Sequence, residues 1–435
     1  MYLLYSALLA AGLLLTFPYW LWQMSRHGKY HEGLMQRLGR VPEHVRSPGK
    51  PAIWVHAVSV GEVLAVEGLV AELRHRNPQH RIIVSTTTDT GQRLAQKRLG
   101  AENVIYFPLD FAFAIRPYLR ALRPELIAIA ETEFWPNFLR LAHASGSKLA
   151  IVNGRISDRS FPRYRRWRFA LGRTLAAIDL FLTQGQEDAR RLREIGAPPD
   201  RVQVAGNLKF DIAPQPAANV IDSLHLALQS AGPVLVCGST VEGEEPLLLR
   251  AFEVILQSHP QAVMVLAPRH PERFAQVAQL LESSKMPFSR RSTWNGGPLS
   301  GRVFLLDSIG ELAALYSLAD IAFVGGSLLP RGGHNILEPA QYGVAIVVGQ
   351  HTENFRDIVG LFRSDDAIRV TTAAGLTKAL LELISDPSAR ASLGRRASET
   401  LRSQTGATQR TADALELLLS SRIAVLAPTG VRITS

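Results

Sequence analysis

The sequence predicts an α/β protein made of two successive doubly wound halves, and three observations carry the prediction. Short apolar runs alternate with amphipathic stretches along most of the chain. That alternation is what βα units around a parallel sheet buried on both faces require. The pattern lapses once, at Asp211–Asn219, where Ile-Ala-Pro-Gln-Pro-Ala-Ala has the composition of a linker. The length, 435 residues, is also too great for one ordinary core.

The elements follow in order. From Tyr2 to Trp22 there is no charged residue, and the stretch is about long enough to cross a bilayer as a helix. Tyr19, Trp20 and Trp22 stand where an aromatic belt would lie, with Arg26, Lys29, Arg37 and Arg40 beyond them. A cationic flank on that side puts the rest of the chain in the cytoplasm. The expectation is a membrane anchor, either spanning or lying in the interface with Pro18 breaking its end; a buried helix is the alternative. Predicted strands then run at Ala52–His56, Arg81–Thr86, Val104–Phe107, Leu126–Ala130, Lys148–Val152, Leu180–Thr183 and Val202–Ala205. After the linker they resume at Val234–Cys237, Ala262–Leu266, Val303–Leu306, Ile321–Val324, Ala345–Val348 and Ile368–Val370. The expected division is an anchor at 1–22, a first domain at 23–212 and a second at 213–435. Ligands of such sheets bind outside the carboxyl ends of the strands.

Composition narrows the chemistry. Hydrophobic residues at 46% and charged residues at 20% read as globular. The single cysteine, Cys237, excludes an internal disulfide and a multi-cysteine metal site. A net charge of +10 asks for anionic partners. Zinc-finger spacing and the aromatic RNA-binding signature are both missing, so membrane or phosphate chemistry is favoured over nucleic acid. The sequence also has no Gly-x-x-x-x-Gly-Lys loop, no Gly-x-Gly-x-x-Gly, no His-Glu-x-x-His and no Asp-x-Asp pair. No metal site and no cofactor are expected.

Five polar clusters each follow a predicted strand. In Val58–Glu62, Glu62 opens a helix; it either favours the helix dipole or projects as a general base. In Glu131-Thr132-Glu133-Phe134-Trp135-Pro136, Glu133 is expected to cap the next helix, which leaves Glu131 as the site candidate. In Gly206–Phe210, Lys209 is either solvated or holds an anion as a point charge. In Ala267-Pro268-Arg269-His270, Arg269 suits a phosphate or carboxylate. The fifth cluster joins Gly325-Gly326-Ser327 to Gly332-Gly333-His334-Asn335-Ile336-Leu337-Glu338-Pro339. It suggests a phosphate on loop amides and a helix N-terminus, with His334, Asn335 and Glu338 on one helix face and Glu338 accepting ribose hydroxyls.

Together these segments resemble the 3-deoxy-D-manno-octulosonic acid (Kdo) transferases of lipopolysaccharide assembly. The resemblance also takes in Trp54-Val55-His56, Asn153-Gly154-Arg155, Gly238–Glu245, Gly349 and His351–Phe355, and reaches from the anchor to about residue 360. It implies the GT-B fold, two facing Rossmann-like domains, with the last helix open to packing back on the first. The N-terminal domain would take the acceptor, a lipid A precursor (lipid IVA), and the C-terminal domain CMP-Kdo. It implies Glu62 as base, with Glu131 and Lys209 supporting the transition state. Donor contacts would come from Pro268, Arg269, Ile309, Gly310 and Glu311, and from Gly333, His334, Asn335, Ile336, Leu337 and Glu338. Val241 departs from the pattern, standing where the family has histidine, and Gln350 replaces a proline.

The expected reaction is inverting and metal-independent, run on the cytoplasmic side of the inner membrane. The basic aromatic segment Arg159, Phe161, Arg163, Tyr164, Arg165, Arg166, Trp167 and Arg168 either faces the anionic lipid surface or is a solvated helix. Two rival readings are a GT-B transferase using a UDP-sugar and a non-catalytic lipid-binding protein.

Overall fold

The computed structural model describes residues 2–27, 32–46, 49–211 and 220–426. Lys29 and positions 212–219 of the expected linker lie outside the described residues, as do the side chains of Tyr19 and Trp20. The chain divides into two compact units, Met1–Asp211 with Thr405–Ser435, and Ile212–Gln404.

In the first unit the order is α1 (Tyr2–His27), α2 (Leu34–Arg37), β1 (Ala52–His56), α3 (Val60–Arg76), β2 (Arg81–Thr86), α4 (Asp89–Leu99), β3 (Val104–Tyr106), α5 (Ala112–Leu122) and β4 (Pro124–Ala130). It continues through α6 (Pro136–Ala144), β5 (Lys148–Gly154), α7 (Phe161–Arg166), α8 (Arg168–Leu175), β6 (Leu180–Thr183), α9 (Gln186–Glu194) and β7 (Val202–Val204). The strands form one parallel sheet in the order β3-β2-β1-β4-β5-β6-β7. Strand order reverses between β1 and β4, so the crevice of this sheet opens at their carboxyl ends. Apolar side chains cover both faces. Along β1, Ala52 and Trp54 join one core cluster, and Ile53 and Val55 join the other.

The second unit runs α10 (Val220–Ala227), β8 (Val234–Thr240), α11 (Glu245–Ser258), β9 (Val263–Pro268), α12 (Phe274–Ser283), β10 (Phe288–Arg290), β11 (Val303–Leu305) and α13 (Leu312–Leu315). It ends with β12 (Ile321–Val324), α14 (Leu337–Gln341), β13 (Ala345–Val348), α15 (Arg356–Ser364), β14 (Arg369–Val370), α16 (Leu376–Ser385) and α17 (Pro387–Gln404). Its sheet is again parallel, in the order β10-β11-β9-β8-β12-β13-β14, and the order reverses between β8 and β12.

Strand β10 was not expected from the sequence. It is a half-buried edge strand of three residues, too short and too polar to stand out. The last helix, α18 (Ala407–Leu426), belongs to the first unit, although the linear division puts it in the second domain. Its Ala407, Ala412, Leu415 and Leu419 complete the core cluster that holds Val66, Leu69 and Leu73 of α3. The Asp211 carboxylate fixes its start by accepting from the amides of Gly406 and Thr408.

Among the described residues no helix is long and apolar enough to cross a membrane. Helix α1 nevertheless runs on past Pro18 to His27, so the proline removes one ladder bond without ending the helix. One side of α1 docks on the first unit. Tyr5 bonds to Asp110, Ser6 lies 2.9 Å from Asn137 Nδ2, and the Arg140 guanidinium sits 4.9 Å from the Tyr2 ring. The other side is apolar and open, with Leu3 89% and Leu15 82% exposed. Arg37 is not a free flanking cation. It donates to the Thr87 carbonyl at 2.7 Å and lies over the Tyr106 ring.

Candidate active site

In the first unit the switch point gathers the acids. Glu62 lies in the first turn of α3, just after β1, and is 9% exposed. Its carboxylate accepts from the Val58 amide at 2.9 Å and from the Ser59 hydroxyl at 3.0 Å. Ser59, the N-cap of α3, makes no side-chain cap bond; the carboxylate instead ties the first turn back to the Val58 amide and the Ser59 hydroxyl. Two of the roughly four lone-pair sites of a carboxylate are used, which leaves capacity for a proton. Burial, followed by the charges of Glu131 and Glu133, lifts the Glu62 carboxyl to about 7 against those two hydrogen bonds. Glu62 is thus bonded into the start of α3, and its carboxyl is raised into the neutral range.

Glu131 follows β4 directly, with a left-handed φ of 56°. A non-glycine residue pays for such a conformation, and these positions cluster at functional sites. Its carboxylate lies 3.6 Å from Lys209 Nζ. Lys209 sits on a short turn that the neighbouring loops hold in place. Asn207 Oδ1 accepts from the Lys209 amide at 3.0 Å, and Asn153 Oδ1 from the Leu208 amide at 3.0 Å. Asn153, also at positive φ, is thus a positioning group that the sequence reading included only inside a motif.

Glu133 does not cap the next helix, contrary to expectation. The first turn of α6 donates instead to Asp110, from the Asn137 amide at 3.1 Å and the Phe138 amide at 2.7 Å. Burial, and then the charge of Glu131, raise the Glu133 carboxyl above its ordinary range.

In the second unit the switch point lies between the loops after β8 and β12. The glycine-rich loop is fastened from below by Glu244, a fully buried acid. Its carboxylate accepts from the amides of Gly326 (2.8 Å), Ser327 and Leu328 (both 3.0 Å), and Val241 (3.1 Å). The Gly325 amide donates to the Gly238 carbonyl and that of Gly333 to the Gly326 carbonyl. The amides of Gly325, Gly326, Ser327, Leu328 and Gly333 are therefore already consumed within the protein, where the sequence suggested that the glycine pairs hold a phosphate on free amides. The helix they lead to, α14, has only five residues and begins at Leu337. So short a helix offers little dipole, and His334 and Asn335 precede it rather than share its face. Asn335 accepts from the Leu337 amide at 3.1 Å and donates to Glu338 at 3.3 Å.

The charge available to an anion here comes from side chains. Arg269, just past β9, lies near enough to His334 and Glu338 to act on both. His334 is lowered to about 4, first by burial and then by Arg269 and His270. Glu338 is raised by burial against Asn335 and Arg269. Pro268 closes β9 inside the core. Glu311 precedes α13, gripped by Arg291 at 2.8 Å and by Ser308. Ile309 beside it is 76% exposed, an open apolar surface. Ile336 and Leu337 are buried, the former in the turn before α14 and the latter at its start. Gly310 turns at φ 90° and Gly333 at φ 74°, and a side chain at Gly333 would come within 3.1 Å of the His351 carbonyl. Val241 bonds to Glu244 through its backbone, its amide donating to the carboxylate at 3.1 Å and its carbonyl accepting from the Glu244 amide at 3.0 Å. No group of three His, Cys, Asp or Glu among the described residues is placed to hold a metal ion.

The structure thus brings Glu62, Glu131 and Lys209 together in one unit and Arg269, His334, Asn335 and Glu338 together in the other. Sequence reasoning missed Glu244 as the support of the glycine loop. The only signal was an acid one residue past Gly243.

Comparison with known proteins agrees with this layout. The family model described as 3-deoxy-D-manno-octulosonic-acid transferase matches residues 32–212. A 3-deoxy-D-manno-octulosonic acid transferase of Haemophilus influenzae is 34% identical over 399 residues, covering 91% of this chain and 93% of that one. One from Bordetella pertussis is 34% identical over 411 residues, covering 91% and 95%. Among solved structures, the UDP-GlcNAc 2-epimerase of Neisseria meningitidis superposes with a TM-score of 0.54 at 13% identity, over 84% of this chain and all of that one, a likeness of fold alone. With two paired parallel-sheet units, acids at the first switch point and this identity along nine-tenths of its length, the chain belongs to the 3-deoxy-D-manno-octulosonic acid transferase family.

Proposed function

We propose that this chain transfers Kdo from CMP-Kdo to the lipid A precursor, with inversion and without a metal ion. The observation that carries the mechanism is the buried Glu62 carboxyl, lifted to about 7 beside the Glu131–Lys209 pair. A base of that strength is half ionised near neutral pH, where proton abstraction is most effective. Glu62 takes the proton from a glucosamine hydroxyl, and the freed oxygen attacks the anomeric carbon. The bond to CMP breaks on the opposite face, and the electron pair leaves with the phosphate. Lys209 stabilises developing negative charge, and Glu131 holds Lys209 in place. Arg269 meets the donor's anionic groups, Glu338 the ribose hydroxyls, and the Ile309-Gly310-Glu311 turn the base. Preorganised charges of this kind are commonly the largest catalytic contribution.

The acceptor reading extends to the membrane. The apolar face of α1, with Trp22, lies in the interface of the inner membrane, and the units sit on its cytoplasmic side. The docking of Tyr2, Tyr5 and Ser6 on the first unit supports an interfacial helix over one that departs into the bilayer. The exposed Arg159 and Arg163 meet anionic headgroups, each adding about 1 kcal/mol. Incubation with CMP-Kdo and the lipid A precursor, followed by mass spectrometry of the lipid, tests the proposal. A mass gain of one or more Kdo units with matching CMP release is expected. No gain, or binding of UDP in preference to CMP, would overturn it.

A further inference from the structure

The first unit carries a second charged cavity, whose lining includes none of the acids at its switch point. Arg165, Arg166, Arg168 and Arg193, with Pro162 and Glu194, line an open cavity of about 780 Å³ between α7, α8 and α9. Its single acid is committed elsewhere, since Glu194 is bonded by Arg190. The arginines on the neighbouring face are neutralised: Arg190 by Glu187 and Glu194, and Arg191 by Glu187 and Asp158. Among the described residues none of the four cavity arginines has an ion-pair partner. Four guanidinium groups around one space repel each other unless an anion sits among them. Their planar forks match phosphate oxygens.

A second observation gives the rest of the ligand. An apolar cavity of about 240 Å³ lies between α1, α6 and α8, lined by Tyr2, Tyr5, Pro136, Trp167, Ala170, Leu171 and Thr174. Trp167 is the joint between α7 and α8, so the residue lining the apolar cavity stands between Arg166 and Arg168, which line the cationic one. Trp167 is 63% exposed and Phe169 beyond it 80%. Anion-binding and hydrocarbon-binding surfaces thus share one helical joint.

We infer that this joint is the seat of a phosphorylated glycolipid, with a phosphate monoester among Arg165, Arg166, Arg168 and Arg193 and an acyl chain along the groove at Trp167. The assignment deepens the lipid-acceptor reading above and rests on it. It commits to the phosphate of the acceptor rather than to the headgroups of the surrounding bilayer.

The test uses the full chain and three probes, the lipid A precursor in detergent micelles, the same lipid after phosphatase treatment, and phosphatidylglycerol vesicles. Binding is read from tryptophan fluorescence, and transfer from CMP release. Arg166→Gln with Arg168→Gln should weaken binding of the phosphorylated lipid about ten- to a hundredfold, the range of lost charge-assisted contacts. Binding of the dephosphorylated lipid should hardly change. Arg159→Gln with Arg163→Gln, equal in charge but outside the cavity, should leave the preference for phosphate intact. The melting temperature of each variant confirms folding, and all four side chains are exposed, so folding is expected. Equal weakening by both double variants would overturn the site in favour of general charge. Loss confined to phosphatidylglycerol vesicles, with acceptor binding unchanged, would overturn it in favour of the bilayer. Wild-type protein that prefers the phosphorylated lipid but transfers nothing would refute the transferase mechanism and support the site.

Discussion

Glu62→Gln separates two roles that the structure gives to one side chain. Gln keeps the size and helix position and can still accept from the Val58 amide or the Ser59 hydroxyl. It cannot take a proton, so transfer should fall roughly 10²–10⁴-fold while CMP binding persists. Stability should move the other way. The carboxyl is raised from 4.5 to about 7, so the folded state binds this proton more tightly than the unfolded state. That stabilisation is fully present below about pH 4.5 and is lost as pH rises through about 7. The shift of about 2.5 units corresponds to roughly 3 kcal/mol, of which about 2 falls between about pH 5.5 and pH 8.5. Relative to wild type, the Gln variant should therefore gain stability on going from the lower to the higher pH. If Glu62 did no more than favour the helix dipole, the variant would instead lose about 0.3–1 kcal/mol where the carboxylate is ionised. CMP release and urea melts on one preparation at both pH values decide the matter. Near-normal transfer would refute the base, and Glu131 would be examined next.

Three further outcomes are expected. Glu338→Ala should weaken CMP binding by about 1.5–3 kcal/mol in calorimetry, because a charge-assisted contact with ribose is lost, and leave acceptor binding unchanged. Glu244→Gln cannot satisfy four converging amides with one carbonyl; the second unit should lose about 2–4 kcal/mol in denaturant melts, with donor KM raised as the glycine loop loosens. Transfer should survive EDTA, and turnover lost to the chelator and restored by magnesium would overturn the metal-free mechanism.

Most of the sheet framework was legible in the sequence, because a strand buried on both faces is an uninterrupted apolar run. Strands β1, β2, β6, β12 and β13 have the bounds that their apolar runs suggest. Strand β10 was not legible, since three half-buried residues at an edge leave no pattern. At the site, Glu62, Glu131 and Arg269 were visible as polar residues breaking an apolar run at a strand end. What escaped were side chains bonded to distant backbone. Asp110 caps a helix that starts 26 residues later, and Glu244 binds amides 82 to 84 residues away. No spacing rule encodes such bonds, because any loop acid can reach an amide that the fold brings near. The same blindness made the glycine loop look like a free phosphate cradle, when the amides of Gly325, Gly326 and Gly333 were already bound from within.

The return of α18 to the first unit makes the second unit an insertion. Asp211, where the chain leaves, grips the amides of Gly406 and Thr408, where it comes back. The two junctions are thus pinned together, the condition under which a whole domain can be excised or exchanged without reopening its host. A chain in which a short glycine-rich link joins Asp211 directly to Gly406 should retain the complete first core. A fragment that simply stops at Asp211 would leave Val66, Leu69 and Leu73 of α3 bare. During synthesis the consequence is one of timing. The second unit, contiguous in sequence, can fold as soon as it emerges, whereas the first must wait for its last helix. Nascent protein is therefore most exposed to aggregation over that interval.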